Sequence, residues 1–301
     1  MSRFLSIGEC MLELSGAGDD LWRMGIAGDT LNTAWYARAC LPGSWQVAYG
    51  TCIGRDPFSA RIPDFLQANG IETDRIQIHP TRSVGLYAIS LDKGERSFAY
   101  WRSASAARTL ADDLQQLETM TLDAQVIHVS GITLAILPPE GRQRLIQVMA
   151  RRRAEGVTVS LDPNIRPALW EDLDTAAEVL TQAARAATVI LPSFDDEHAC
   201  FGDATPGATL TRYAALGADT VIVKNGGGEI LALHDRQTHE FGDLGRVTPV
   251  DTTGAGDSFN GACLAALATG SPLPHAIAAG HAVAGKVVTR RGALVPMEDI
   301  G

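Results

Sequence analysis

Residues 251–261 read DTTGAGDSFNG, set between a β-type run at 245–250 and a long apolar helical pattern at 258–268. Three small residues therefore fall where a strand is expected to hand over to a helix. At a helix start the N–H groups have no intrahelical acceptor and can turn toward an anion. Gly254, Ala255 and Gly256 carry little or nothing to block a phosphate there, and Asp257 in the first turn sets a carboxylate beside the cradle. A hole with a base next to it suits phosphoryl transfer to a hydroxyl. The plainer reading is a glycine-rich turn in which Asp257 complements the helix dipole. Other glycine motifs fail. GAGDSF has Phe259 where the dinucleotide fingerprint needs its third glycine, which weakens an oxidoreductase reading. The stretch GHAVAGKV at 280–287 has Val287 in place of the P-loop Ser/Thr and lies in a helical run.

The 301 residues, 46% apolar and 20% charged, have the profile of a soluble globular chain with room for one large α/β domain or two small ones. A net charge of −10 argues against a nucleic-acid or anionic-membrane surface, so an anionic ligand must be held by local Arg, Lys and N–H groups. Five scattered cysteines without a CxxC pair read as reduced core residues of a cytoplasmic protein, and the histidines lack metal-ligand spacing. Residues 1–14 have no basic leader or long apolar core, and no later window reaches membrane-spanning length.

Along the chain, an apolar run at 4–8 ending in Gly and Glu predicts a first buried strand, and alternation at 11–14 a half-exposed one. Gly28 leads into a helix at 29–39 with Asn32 in its first turn, where its amide can bond sugar hydroxyls or local backbone. Runs at 84–91 and 96–101, joined by Asp92, Lys93 and Gly94, predict a hairpin rich in Tyr, Trp and Arg: a lid, or an ordinary edge hairpin. From residue 110 helices alternate with strands, which implies a parallel sheet covered on both faces. Ligands of such sheets collect at the carboxyl ends of strands. Asp162, Asn164 and Arg166 follow one strand there, and Ser193, Asp195, Asp196 and Glu197 the next. No linker or repeat divides the chain, so residues 1–301 read as one α/β domain with a lid from about 10–27 and 84–103.

Two motifs, AGDTLNTA at 27–34 and DTTGAGDSFNGA at 251–262, resemble the ribokinase-like (PfkB-type) carbohydrate kinases, and the resemblance runs essentially the whole length. It implies a three-layer α/β/α fold with a mostly parallel central sheet and a small β-sheet lid. Within that family, YAISLDKGERSFAYWRSASAAR, LDPNIRPALW and LPSFDDE are similar to 2-keto-3-deoxygluconate kinases. Such a substrate carries a carboxylate that Arg102 and Arg166 could pair with, and the reaction expected is ATP-dependent phosphorylation of its C6 hydroxyl. Position by position, the resemblance implies that Gly28, Asp29 and Asn32 line the sugar site and that Tyr87, Tyr100 and Arg102 reach it from the lid. Arg166 would sit near both sugar and phosphates. Asp257 matches the family's base, and the N–H groups of Gly254, Ala255 and Gly256 match its anion hole. Ser193, Lys224, Gly226 and His281 match nucleotide-binding positions, and a monovalent cation such as K+ is expected near Asp251 and Thr253. Where the family commonly has Asn, two residues, then Glu, this chain has Ser193 and Asp196 with Glu197 adjacent. Which acid, Asp195, Asp196 or Glu197, places Mg2+ through water stays open. Rival readings are a kinase for fructose or ribose, and a catalytically silent regulator that binds sugar or nucleotide. Apolar residues on the lid admit a homo-oligomer through it as well as a monomer.

Overall fold

The computed structural model describes residues 2–18, 21–92 and 95–300. Strands β1 (Ser2–Ile7), β2 (Met11–Gly16), β3 (Trp22–Ala27), β4 (Trp45–Ile53) and β5 (Ile76–Ile78) come first, interrupted by helix Asp29–Cys40 and helix Arg61–Ala68. β6 (Gly85–Asp92) and β7 (Glu95–Trp101) follow, then β8 (Val126–Ser130), β9 (Thr158–Asp162), β10 (Val189–Ile190) and β11 (Thr220–Val223), with helices between them. β12 (Ile230–His234) and β13 (Gln237–Phe241) precede the last two long helices, Ala255–Ala268 and Leu273–Val288.

Nine of these strands form one sheet in the order β13-β12-β11-β10-β9-β8-β1-β4-β5, parallel from β11 to β5 and antiparallel at β12 and β13. Alternation along each strand feeds two cores. Leu5, Ile7, Val221 and Val223 point into a core with helices Leu114–Thr121, Pro139–Ala154, Leu173–Arg185 and Pro206–Ala215. Phe4, Val47, Tyr49 and Ile222 point into the other, beneath helices Asp29–Cys40, Ala255–Ala268 and Leu273–Val288. The result is a three-layer α/β/α arrangement, as the resemblance implies. Four strands, β3-β2-β6-β7, form a separate small sheet in which Tyr87 pairs with Tyr100 and Leu86 with Trp101. Of the expected hairpin turn, Lys93 and Gly94 lie outside the described residues.

Two expectations fail locally. Residues 245–250 form no strand: Pro249 has no N–H for a ladder, Gly245 turns at φ 77°, and Val247 and Val250 stay exposed. The N–H groups of Val250 and Asp251 instead bond the Val288 carbonyl at the end of a helix. The proline at 57 predicts a helix over 57–68 from the sequence, but the helix begins at Arg61, because Asp56 accepts the N–H groups of Phe58 and Ser59 in a turn first. Helix Phe194–Phe201, not anticipated, carries the acids that follow β10.

The helix Ala255–Ala268 packs close against helix Asp29–Cys40 because Gly261 leaves room: a Cβ there would stand 2.6 Å from the Thr33 carbonyl oxygen. That approach carries Asp257 to Asn32.

Candidate active site

A cleft of about 350 Å³ opens between the carboxyl ends of the main strands and the small sheet. Gly28, Asp29 and Asn32 border it from the start of helix Asp29–Cys40, and Tyr87, Tyr100 and Arg102 from the small sheet. Arg166 comes from the loop after β9, and Thr252 to Asp257 close the end of the cleft. A second cavity, about 570 Å³, is lined by Gly226, Val247, His281, Ala284 and Val288. The two cavities share Thr252 and Ala255.

Gly254 makes this junction possible. Its φ of 76° is left-handed, and a Cβ would lie 2.9 Å from the Ala293 carbonyl oxygen, so any side chain would be both strained and crowded. The N–H of Ala255 is returned to Thr252 at 3.2 Å and that of Ser258 to Gly254 at 2.8 Å. Among the described residues the N–H groups of Gly254, Gly256 and Asp257 have no acceptor. Of the three N–H groups expected to form the hole, two are open and Ala255's is spent on the turn, while Asp257 adds its own.

Asp257 accepts 2.8 Å from Asn32 Nδ2, and Asn32 Oδ1 is buried with no partner among the described residues. The Asp257 carboxyl is pushed up to about 8, first by burial and then by the charge of Asp29, against the Asn32 hydrogen bond, which works the other way. Asp29 is itself raised, chiefly by burial, and accepts from Asn164 at 3.0 Å. Asn164 is held at φ 33°, a left-handed geometry that Asn tolerates, with its N–H on Asp162. Two neighbouring carboxyl groups thus have raised proton affinity at the end of the cleft where the open N–H groups stand.

Both arginines singled out for an acidic ligand are met by protein carboxylates. Arg102 is buried and gives its Nε (2.8 Å) and Nη2 to a single oxygen of Glu9. Arg166 is half-exposed and reaches Asp196 at 3.2 Å. Tyr87 is buried with its hydroxyl donating to Glu13, whereas Tyr100 stays exposed above the cleft.

The nucleotide-side candidates divide. Gly226, at φ 54°, and His281 line the larger cavity, and His281 also pins the loop by bonding the Gly245 carbonyl at 2.8 Å. Lys224 lines neither cavity; its Nζ is buried under the turn, 3.0 Å from both Asp162 and Asn260. Burial opposes the charge of Asp162, yet Lys224 beside it and the bonds from Lys224 and Asn260 hold its carboxyl below the ordinary range. Ser193 stands at the N-cap position of helix Phe194–Phe201 without a side-chain capping bond and bridges to Lys224 through the backbone.

Among the acids weighed for Mg2+, Glu197 faces away: it is fully buried against Arg212 (2.7 Å) and the Tyr213 hydroxyl. Burial pushes its carboxyl up to about 7, with Arg212 opposing. Asp196 lines neither cavity but reaches the cleft's edge through its 3.2 Å bond to Arg166. Asp251 accepts from the Thr253 N–H and hydroxyl with one oxygen and from the Gly292 N–H with the other. Reading the chain in order singled out Asp162 and Asn164 only as polar residues after a strand, and left Glu9 without a role. Its signal was an acid directly after the first strand's glycine, at the carboxyl end where ligands collect.

A family model described as pfkB family carbohydrate kinase matches residues 1–300. A 2-dehydro-3-deoxygluconokinase of Haemophilus influenzae is 36% identical, the match covering 98% of this chain and 96% of that one. A fructokinase of Vibrio alginolyticus is 31% identical over 74% of this chain and 71% of its own length. Among solved structures, a ribokinase II from E. coli in complex with ATP and Mg2+ superposes with a TM-score of 0.85 at 23% identity, covering 100% of this chain and 98% of the other.

Proposed function

Because the chain belongs to the pfkB family of carbohydrate kinases, we propose that it is a 2-dehydro-3-deoxygluconokinase, moving the γ-phosphoryl of ATP to the C6 hydroxyl of 2-keto-3-deoxy-D-gluconate. The observation that carries this is the position of Asp257 in the turn shared by two cavities, one bordered by arginines and hydroxyl-binding groups, the other more apolar. The sugar takes the first with its carboxylate toward Arg102 and Arg166, and ATP takes the second with its base against Val247, Ala284 and Val288. The phosphates then meet the open N–H groups of Gly254, Gly256 and Asp257, which stabilise charge on the transferring group. Asp257 accepts the proton of the attacking hydroxyl; its raised affinity suits that task near neutral pH. Lys224 adds positive charge from beneath the turn. The small sheet serves as a lid that excludes water, with Tyr100 over the sugar. Through its exposed Trp22, Phe98 and Trp101 this sheet also offers a surface to a second copy.

Mg2+ fits the residues present. A hydrated Mg2+ needs one or two carboxylates rather than a protein cage, and Asp196 would supply one. When bound, it neutralises charge between the phosphates. K+ beside Asp251 and Thr253 would stiffen a turn that Asp251 already ties to Gly292. Among the described residues no helix is long and apolar enough to cross a membrane, and we place the enzyme in the cytoplasm with its ATP.

A neutral-sugar kinase is the second reading, favoured by the charge-neutral pairing of Arg102 with Glu9. Product analysis by ³¹P–¹H correlation NMR separates the two. Phosphate coupled to the C6 protons of the keto-deoxy acid supports the proposal, and product formed only from fructose or ribose overturns it.

A further inference from the structure

Glu9 stands two residues past β1, at the carboxyl end of the central sheet, and is 2% exposed. Its two oxygens are used unequally. Oε2 takes both the Nε and the Nη2 of Arg102, whereas Oε1 has no hydrogen-bond partner among the described residues. A buried carboxylate oxygen left without a donor is costly, and one that borders a cleft can be completed by a hydroxyl donor bound there. Glu9 borders the sugar cleft. Space beside Oε1 exists because position 85 is glycine: a Cβ there would stand 2.8 Å from that oxygen. Arg102 in turn keeps its Nη1 without a bond among the described residues. The pair therefore offers the cleft one charged donor edge and, next to it, one charged acceptor.

Resting on the reading of the enzyme as a 2-keto-3-deoxygluconate kinase, the pair can be matched to the sugar atom by atom. Arg102 takes the carboxylate of C1. C2 is a carbonyl in the open chain, C3 bears no hydroxyl, and the C6 hydroxyl goes to Asp257. The first hydroxyl donor from the acid end is that of C4. We infer that Glu9 is a specificity-determining residue: its Oε1 accepts the C4 hydroxyl while its Oε2 holds Arg102 to the carboxylate. Inverting C4 turns that hydroxyl away and leaves the buried acceptor unpaired, so the geometry selects the gluconate over the galactonate configuration.

The test is steady-state kinetics of the full chain with Mg-ATP on 2-keto-3-deoxygluconate and its C4 epimer, 2-keto-3-deoxygalactonate, for wild type and Glu9→Gln. In the variant the one amide oxygen stays with Arg102 and an NH2 replaces the acceptor. Wild type is expected to favour the gluconate by about tenfold or more in kcat/KM, and Glu9→Gln to bring the ratio within about twofold of unity through KM for the sugar. KM for ATP stays unchanged, which a merely structural loss would not spare. A wild type indifferent to C4, or a folded variant with an unaltered ratio, overturns the inference. Should Glu9→Gln fail to fold, the 4-deoxy substrate decides with wild type alone: a loss of about tenfold or more supports the contact and equal turnover refutes it. Phosphorylation of a neutral sugar with no turnover of either acid overturns the underlying function and the inference with it, an outcome distinct from the others.

Discussion

Asn32 donates its side-chain amide to Asp257 across 2.8 Å, joining the first turns of two helices whose residues are 225 positions apart in sequence. The bond fixes the carboxylate at the meeting point of the two cavities and stabilises its charged form against burial. It links the two motifs that identify the family.

Replacing Asp257 by Asn removes the base and keeps the shape. Turnover should fall by about 10²–10⁴-fold while ATP and sugar affinities, read by calorimetry, stay near wild type. Near-normal turnover would remove Asp257 from the mechanism.

The same substitution has a stability signature with a definite sign. Between the ordinary carboxylate value of 3.8 and about 8, the folded chain keeps a proton on Asp257 that the unfolded chain has lost, so stability falls as pH rises through that window. Asp257→Asn should melt a few degrees above wild type at pH 8, and the gap should close toward pH 4. Thermal melts across that range check it.

A pH–rate profile separates the neighbours of the base. Activity should rise with pH as Asp257 ionises, and Asp29→Asn should move that limb to lower pH, because Asp29's charge holds the Asp257 proton. Asn32→Ala should move it to higher pH, since the lost hydrogen bond favoured the charged form.

The two arginines should part company. Arg102→Met leaves Glu9 buried and unpaired and should cost about 3–5 kcal/mol of stability in chemical denaturation. Arg166→Met, at a half-exposed pair with Asp196, should change stability by less than about 1 kcal/mol. It should still raise KM for the acidic sugar by about tenfold, the cost of a charge-assisted hydrogen bond.

For the metal, Asp196→Asn should raise the Mg2+ concentration needed for half-maximal rate. Glu197→Gln should leave that concentration unchanged and lower the melting temperature, because Glu197 is committed to Arg212 and Tyr213.

Much of the fold was legible because it is periodic: apolar runs at even spacing marked the strands, and the glycine-rich motif marked the turn that the two cavities share. What stayed hidden depends on distant partners. Glu9 finds Arg102 across 93 positions, and Lys224 finds Asp162 across 62, so neither pairing leaves a local pattern. Residues 245–250 misled in the opposite sense: their β-branched content reads as strand, but Pro249 and Gly245 turn the segment into the wall of the larger cavity. Glu197 shows a third limit. Its place in the acidic run suggested the metal, and only the burial of helix Phe194–Phe201 against Arg212 reveals that it faces inward.

The most direct measurement is the rate of ADP release with Mg-ATP and K+ across 2-keto-3-deoxygluconate, fructose, ribose and gluconate at equal low concentration. A kcat/KM for the keto-deoxy acid at least about a hundredfold above the neutral sugars is the expected result, the discrimination that two arginine contacts to a carboxylate can supply. Equal or greater kcat/KM for fructose or ribose would contradict it.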